Sequence, residues 1–178
     1  MIETTPRITV VTLLLTVLLI TSSALAQTAS AGAPSCGDPN TEFKVKTDME
    51  QRHPQPDSGK ALVYFIQNDL EFESRPRPTT RMGMDGHWVG ATHSNSYIHV
   101  PVDPGMHHLC ASWQGQDENQ EAAAAHFTAE AGGVYYFQVK NKFLRVNGSR
   151  IISLTPLDSD EGQLPADKFS LATSQPKK

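Results

Sequence analysis

Residues 61–67 read ALVYFIQ, and this run decides the fold. Its β-branched and aromatic side chains favour a strand. Because apolar residues occupy both of the alternating faces, we expect the strand to be covered on each side and to lie at the centre of a sheet. The segment before it, His53 to Gly59, contains two prolines and a glycine and is predicted to be a turn-rich linker.

Strand-like segments recur around this run at a spacing of roughly ten residues, with turn residues between them. Asp85-Gly86 predicts a β-hairpin, because these residues tolerate the positive φ that a tight hairpin turn needs. Asp103-Pro104-Gly105 predicts the turn between the next two strands, which could then pair. Glu121 to Ala125 is predicted to begin a helical turn. The predicted strands are, in chain order, residues 42–47, 60–68, 80–84, 87–91, 97–102, 106–113, 134–140 and 149–157.

This pattern predicts an all-β domain over residues 41–157. The expected architecture is an antiparallel β-sandwich of the immunoglobulin-like or accessory-module type, with about seven to nine strands. Residues 42–47 alternate apolar and charged side chains, as a half-buried edge strand does. The tail, residues 158–178, begins with the acidic DSDEG, which suits the start of a helix, and Pro165 limits that helix to a short one.

The amino terminus has the features of a cleavable signal peptide over residues 1–26. A basic Arg7 precedes the apolar run 8–20, and small residues precede a cut between Ala26 and Gln27. The alternative is a membrane anchor, but the apolar run is shorter than the roughly 20 residues that a spanning helix needs.

Export sets the expected compartment. Cys36 lies too far beyond the apolar run for the lipid attachment of a lipoprotein. We therefore expect a periplasmic or extracellular protein that is soluble after cleavage, with a flexible leader over residues 27–40, whose small and polar composition gives little to bury.

The charge balance bears on the class of partner. Lys and Arg number 15 and Asp and Glu 19, which gives a formal net charge of −4, and no basic cluster occurs. Nucleic acids and anionic membrane surfaces attract clustered basic residues. We therefore expect no nucleic-acid partner and no stable membrane anchor after cleavage. The expected partner is another envelope or secreted protein, or a surface ligand.

The chain has two cysteines, Cys36 and Cys110, both beyond the predicted cut. In an oxidising compartment two lone cysteines most simply form one disulfide. The alternative is a reactive or metal-binding pair, which needs a basic setting or histidine neighbours. His107 and His108 adjoin Cys110, but no histidine adjoins Cys36. A structural disulfide that ties the leader to the domain is therefore preferred.

Several short groups of residues carry a family resemblance. They are Ala61-Leu62-Val63-Tyr64, Met84-Asp85-Gly86, Val102-Asp103-Pro104-Gly105 with His107, Ala129-Glu130-Ala131-Gly132 and Val134-Tyr135-Tyr136. In this order and spacing, over about residues 60–157, the chain resembles the bacterial family called domain of unknown function 2846. With its cysteine arm and acidic tail it is similar to secreted members from soil acidobacteria. The resemblance implies an extracytoplasmic β-sandwich accessory module and implies no activity.

The histidines suggest a metal site as an alternative function. His99, His107 and His108 are the candidate ligands, because His99 could approach the other two if its strand paired with theirs across the Asp103 turn. With nearby methionines they would suit copper or zinc. Against this, the histidines lack the regular spacing of a known metal motif. His107 is expected to pack beneath the Pro-Gly turn instead.

No sequence motif for catalysis is found. A small hydrolase, the third candidate, needs a nucleophile on a sharp turn with a histidine and an acid. Gly-x-Ser-x-Gly is absent from the sequence, and nothing near Ser94 or Ser96 activates them. The sequence therefore predicts a non-catalytic interaction module without a cofactor, with a copper- or zinc-binding protein as the alternative.

Overall fold

A computed structural model describes residues 36–49, 53–72, 76–115, 122–144 and 149–178. The predicted signal peptide, its cleavage site between Ala26 and Gln27, and the leader before Cys36 lie outside the described residues. Within them the chain forms ten strands and one helix. These are β1 (Phe43–Asp48), β2 (Ala61–Asn68), β3 (Thr79–Met84), β4 (His87–His93), β5 (Ser96–Val102), β6 (Gly105–Trp113), β7 (Ala122–Ala129), β8 (Val134–Leu144), β9 (Ser149–Leu157), α1 (Ser159–Lys168) and β10 (Ser170–Pro176).

The described strands form two sheets that share an apolar core. The six-stranded sheet has the order β1-β10-β5-β2-β8-β9, and the four-stranded sheet has the order β4-β3-β6-β7. Phe65 and Phe137 of the first sheet belong to the same buried cluster as Met82 and Leu109 of the second. An all-β sandwich with a short C-terminal helix is therefore confirmed. So is the central position of ALVYFIQ, since β2 lies between β5 and β8.

Two strand pairs depart from the antiparallel arrangement that was expected throughout. β2 pairs with β8 in parallel, and so does β10 with β5. Parallel neighbours need a crossover connection. β3, β4, β6 and β7 of the opposite sheet lie between β2 and β8 in the chain, and α1 directly precedes β10. The strand count also exceeds the seven to nine expected, because β7 and β10 were not predicted.

The turn at Asp103-Pro104-Gly105 does not join two paired strands. β5 lies in the six-stranded sheet and β6 in the four-stranded sheet, so the turn carries the chain from one sheet to the other. Gly105 has φ +141°, a backbone conformation that side chains disfavour. The expectation that β5 and β6 pair is therefore wrong, and with it the expected approach of His99 to His107 and His108.

The helical turn predicted to begin over residues 121–125 is wrong for residues 122–125, because they belong to strand β7, Ala122–Ala129; Glu121 lies outside the described residues. β7 pairs with β6 over eight residues, from Ser112 opposite Ala122 to Gly105 opposite Ala129. Alanine has a high intrinsic helix propensity, but pairing with a neighbouring strand routinely overrides it.

A second apolar cluster lies on the outer face of the six-stranded sheet, beneath α1. Leu62, Tyr64 and Ile66 of β2 pack there with Tyr97 and with Ala166 of the helix. The opposite face of β2 packs into the core between the sheets. Both faces of β2 are therefore covered, which is why its apolar run is continuous. In the described part of the chain, no helix is long and apolar enough to cross a membrane.

Replacing Gly162 with alanine is expected to destabilise the fold by about 2 kcal/mol, since overpacking costs more than the better helix propensity of alanine returns. A Cβ at Gly162 would overlap the ring of Tyr136 on which α1 rests. Urea unfolding of the Gly162→Ala variant measures this loss. Gln163→Ala on the exposed side of the same helix is the control and should change little; equal stability of both variants would contradict the close contact.

The segment 36–42 packs on the outer face of the four-stranded sheet. Cys36 is joined to Cys110 of β6, with their Cα atoms 5.7 Å apart, which confirms the predicted pairing. The indole Nε1 of Trp88 donates to the carbonyl oxygen of Asp38 at 2.8 Å, and the guanidinium of Arg81 lies 4.5 Å from the centre of the indole ring. Residues 36–40, predicted as part of a flexible leader, are thus held against the sheet.

Candidate functional site

The three histidines predicted as metal ligands are not brought together. His99 lies on β5 in the six-stranded sheet, whereas His107 and His108 lie on β6 in the four-stranded sheet. Successive residues of a strand point to opposite faces, so His107 and His108 do not share a face either. Among the described residues, no group of three or more His, Cys, Asp or Glu side chains is placed to hold a metal ion.

His107 is held at a corner of the sandwich between two turns. Its Nδ1 lies 2.7 Å from Oδ2 of Asp85, and its Nε2 lies 2.8 Å from the carbonyl oxygen of Asp103. Both oxygens are acceptors, so the ring satisfies both only as an imidazolium with two N–H donors. Burial alone would lower the pKa of His107, but these hydrogen bonds outweigh burial and raise it. The expectation that His107 packs beneath the Pro-Gly turn is confirmed.

Asp85 fixes the other side of this corner. It has φ +50° and is followed by Gly86 at φ +82°, as the predicted hairpin turn requires. Its Oδ1 accepts the backbone N–H of His108 at 2.9 Å while Oδ2 contacts His107. Burial would raise the pKa of Asp85, but the hydrogen bonds from His107 and His108 outweigh it and lower the pKa. In this state the His107 ring has no free lone pair for a proton or a metal ion.

Asp85, Asp103, Gly105 and His107, which carry part of the family resemblance, lie around this corner. Lys60, just before β2, places its Nζ 2.6 Å from Oδ1 of Asp103. The carbonyl oxygen of Lys60 accepts the N–H of Gly132 at 2.8 Å. Gly105 lies opposite Ala129 in the β6–β7 register. These contacts connect the ends of β2, β6 and β7, so the residues in them have a structural role.

The His107–Asp85 pair predicts a pH dependence of stability. Because the folded-state pKa of His107 is raised, its contribution is fully present below the ordinary pKa of 6.5 and is lost as pH rises through the raised value. Asp85, whose pKa is lowered from 3.8, loses its contribution as pH falls through that lowered value. Relative to a His107→Gln variant, wild type should be more stable by about 1 kcal/mol between pH 5 and 6, since Asp85 is partly exposed, and by less at pH 9.

Urea unfolding at several pH values measures this difference between wild type and His107→Gln. Thr155→Gln, a neutral replacement at an exposed position of β9, is the control and should leave the pH dependence unchanged. A difference that grows from pH 6 to pH 9 would contradict the ion pair.

His99 lines a cleft on the other sheet. Its ring lies 5.7 Å from that of Tyr64, and burial, with a smaller contribution from the nearby charge of His53, lowers the pKa of His99. The cleft has a volume of about 390 Å³. It is bordered by apolar and small polar residues of three strands, namely Val89, Ile98, His99, Leu171, Ala172, Thr173 and Ser174.

The cleft exists because β5 and β10 diverge. The two strands pair only at Ser96 with Ser170 and at Tyr97 with Leu171. Beyond that point β10 approaches β4, where the hydroxyl of Ser174 accepts the N–H of Ala91 at 2.9 Å. β5 stays paired with β2 on its other edge as far as Val102. Residues 98–102 therefore present a backbone edge with no paired strand among the described residues.

A buried polar network lies at the end of β2, where the sequence indicated only a loop. Asp69 is fully buried, and its carboxylate accepts hydrogen bonds from Nε2 of Gln67 at 2.6 Å and from Nδ2 of Asn141 at 2.7 Å. The oxygen of Asn141 accepts from Nε1 of Trp113 at 2.6 Å, and that of Gln67 from the hydroxyl of Thr92 at 2.6 Å. Burial raises the pKa of Asp69, and the two amide donors only partly offset it.

Ser94 and Ser96, the candidate nucleophiles of a hydrolase, form hydrogen bonds with nearby residues instead. The hydroxyl of Ser94 accepts from Nη1 of Arg77 at 2.7 Å. The hydroxyl of Ser96 donates to the carbonyl oxygen of His93 at 3.0 Å. Within the described residues neither hydroxyl bonds to a histidine ring, so this geometry lacks the nucleophile–base contact that a triad needs.

The chain matches no protein-family model, no curated protein and no solved structure.

Proposed function

We propose that this chain is an exported, non-catalytic β-sandwich module that binds an extended peptide segment of another envelope or secreted protein. The divergence of β5 and β10 is the observation that carries this proposal. The Cys36–Cys110 disulfide supports export, because structural disulfides persist in oxidising compartments. The resemblance to domain of unknown function 2846, together with the corner that its residues form, supports membership in that family as part of the same proposal.

An extended peptide suits the cleft because each of its walls is a strand edge. Added strands bind through main-chain hydrogen bonds, and pockets for alternate side chains provide specificity. β5 offers its edge from Ile98 onward, and β10 is already paired with β1 on its far side, with Ala172 opposite Thr47. The apolar floor at Val89 and Ile98 would take one small apolar side chain of the peptide. Pro101 lacks an N–H and therefore limits the pairing to the first residues of this edge.

Selection of displayed random peptides against the oxidised protein tests this proposal. Selected peptides should shift the backbone amide signals of residues 98–102 and 171–174 in NMR spectra. Thr173→Trp should fill the cleft and weaken binding at least about tenfold, or ~1.4 kcal/mol. Thr155→Trp, another exposed threonine of the same sheet, is the matched control and should leave binding intact. Peptides that bind elsewhere, or equally to Thr173→Trp, would overturn the proposal.

A further inference from the structure

We propose that His108 and His126 form a surface site for a late first-row metal ion, with Cu²⁺ bound most tightly. The two residues lie directly opposite each other on the antiparallel strands β6 and β7. Both side chains are exposed, and the centres of their rings are 6.5 Å apart. This pair is independent of the peptide cleft, which lies on other strands, and differs from the predicted set His99, His107 and His108 by including His126.

Three of the other described histidines use their ring nitrogens in contacts with protein groups. His107 uses both ring nitrogens at the corner. Nδ1 of His87 lies 3.1 Å from the carbonyl oxygen of Asp85, and Nδ1 of His93 lies 3.3 Å from the hydroxyl of Thr79. Within the described residues, His108 and His126 instead contact each other and hold no hydrogen bond through their rings. A metal ion could therefore bind both without breaking an existing contact.

The chemistry of the pair favours copper. Imidazole binds Zn²⁺ and Cu²⁺ well, at about 2.0–2.1 Å from nitrogen for zinc, and Cu²⁺ ranks highest among the divalent first-row ions. Facing residues of an antiparallel pair have Cβ atoms about 4.5–5.5 Å apart, so small side-chain rotations bring one nitrogen of each ring onto a common ion. Waters would complete the coordination, because a site of two protein ligands leaves positions open.

Neighbouring residues on the same face define the rest of the site. Met106, which is 68% exposed, precedes His108 by two residues and lies opposite Thr128. Its thioether is within the diagonal reach of cross-strand neighbours and is a soft ligand that suits Cu⁺. On the other side Cys110 is bonded to Cys36, so no free thiolate competes there. The site is thus a two-histidine platform with one adjacent thioether.

Calorimetric titration of the oxidised, tag-free and metal-stripped protein with CuSO₄ and with ZnCl₂ tests the site. We expect one equivalent of Cu²⁺ to bind, more tightly than Zn²⁺. His108→Ala and His126→Ala should each weaken Cu²⁺ binding at least about tenfold. Electron paramagnetic resonance of the loaded protein should show nitrogen coupling, and Cu²⁺ should broaden the NMR signals of residues 106–110 and 124–128.

His93→Ala, which removes an exposed histidine outside the pair, is the matched control and should leave Cu²⁺ binding unchanged. Circular dichroism of each variant checks that it folds, which we expect because both site residues are exposed. Binding that survives both single replacements, or broadening centred on other residues, would overturn the proposal. So would a wild type that binds no Cu²⁺ at millimolar concentration.

Discussion

Loss of the Cys36–Cys110 disulfide is expected to lower the free energy of unfolding by about 4.5 kcal/mol. The bond closes a loop with a sequence separation of 74 residues. In the chain-entropy account, a cross-link stabilises by restricting the unfolded chain, and a loop of this length is worth about 4.5 kcal/mol. Small domains are commonly stable by only about 5–15 kcal/mol, so this loss would bring the domain close to unfolding.

The 36–42 segment keeps several hydrogen bonds to the four-stranded sheet when the disulfide is reduced. Nη1 of Arg81 donates to the carbonyl oxygens of Pro39 at 2.7 Å and of Thr41 at 3.0 Å, and Trp88 donates to Asp38. These bonds hold the arm locally, but they do not restrict the unfolded chain. The reduced protein should therefore keep its fold at low temperature and unfold at a much lower urea concentration.

Urea unfolding of the oxidised protein, the protein in reductant and a Cys36→Ser/Cys110→Ser variant measures the effect. The reduced protein and the double variant should agree with each other, which separates the bond itself from the chemistry of serine. Their unfolding should also show a steeper dependence on urea, because an unfolded chain without the cross-link exposes more surface. Equal midpoints with and without reductant would contradict the prediction.

Much of the fold could be predicted because its central features are local. ALVYFIQ indicates a doubly covered strand, and Asp85-Gly86 indicates a hairpin whatever the rest of the chain does. The parallel pairing of β10 could not be predicted in this way. Its sequence SLATSQP is largely polar, and the strand is held by β1 over six register pairs and by β5 over only two. This pairing depends on the positions of β1 and β5 in the folded sheet, and a local sequence pattern contains no information about those positions.

The candidate sites also differ in whether their contacts are local in sequence. The contact of His107 with the Asp103 turn could be anticipated, since the two are four residues apart, but its contact with Asp85, 22 residues away, could not. The buried network could not, because Asn141 meets Asp69 across 72 residues and Trp113 belongs to the other sheet. The only sequence feature that pointed to this network was the polar run Gln67-Asn68-Asp69 after an apolar strand. By itself, such a run indicates only the end of a strand. The pair His108–His126 needed the register of β7, and β7 was not predicted as a strand.

Replacement of Asp69 with alanine is expected to destabilise the fold by about 3–5 kcal/mol. Asp69 is the acceptor at which two chains of hydrogen bonds end. One runs from Trp113 through Asn141, and the other from Thr92 through Gln67. The indole N–H only donates, so Asn141 must turn its oxygen toward Trp113 and its amide hydrogens toward Asp69. Removing the carboxylate leaves a buried N–H unpaired on each amide, at about 1–3 kcal/mol apiece.

Asp69→Asn is the discriminating variant, because it keeps the size of the side chain. The oxygen of the new amide accepts one of the two hydrogen bonds, but its NH2 group faces the other donor. The loss of stability should therefore be smaller than for alanine, about 1–3 kcal/mol. Asp160→Ala, at an exposed position of α1, is the control and should change little. If Asp69→Asn were as stable as wild type and Asp69→Ala nearly so, the network would not be a source of stability.

The pH dependence of the Asp69→Ala effect tests the state of the carboxyl group itself. Burial raises the pKa of Asp69 above 3.8, so its contribution to stability is fully present below that value and declines as pH rises through the raised pKa. The difference between wild type and Asp69→Ala should therefore widen as pH falls from 8 toward 4. Asp85 and His107 are not among the groups that shift the pKa of Asp69, so their titration cancels in the difference, whereas the charges of Arg77 and His93 lower the pKa of Asp69 by smaller amounts than burial raises it. A gap that narrows on acidification would show that the carboxylate is better stabilised in the fold than in water, opposite to what its burial implies.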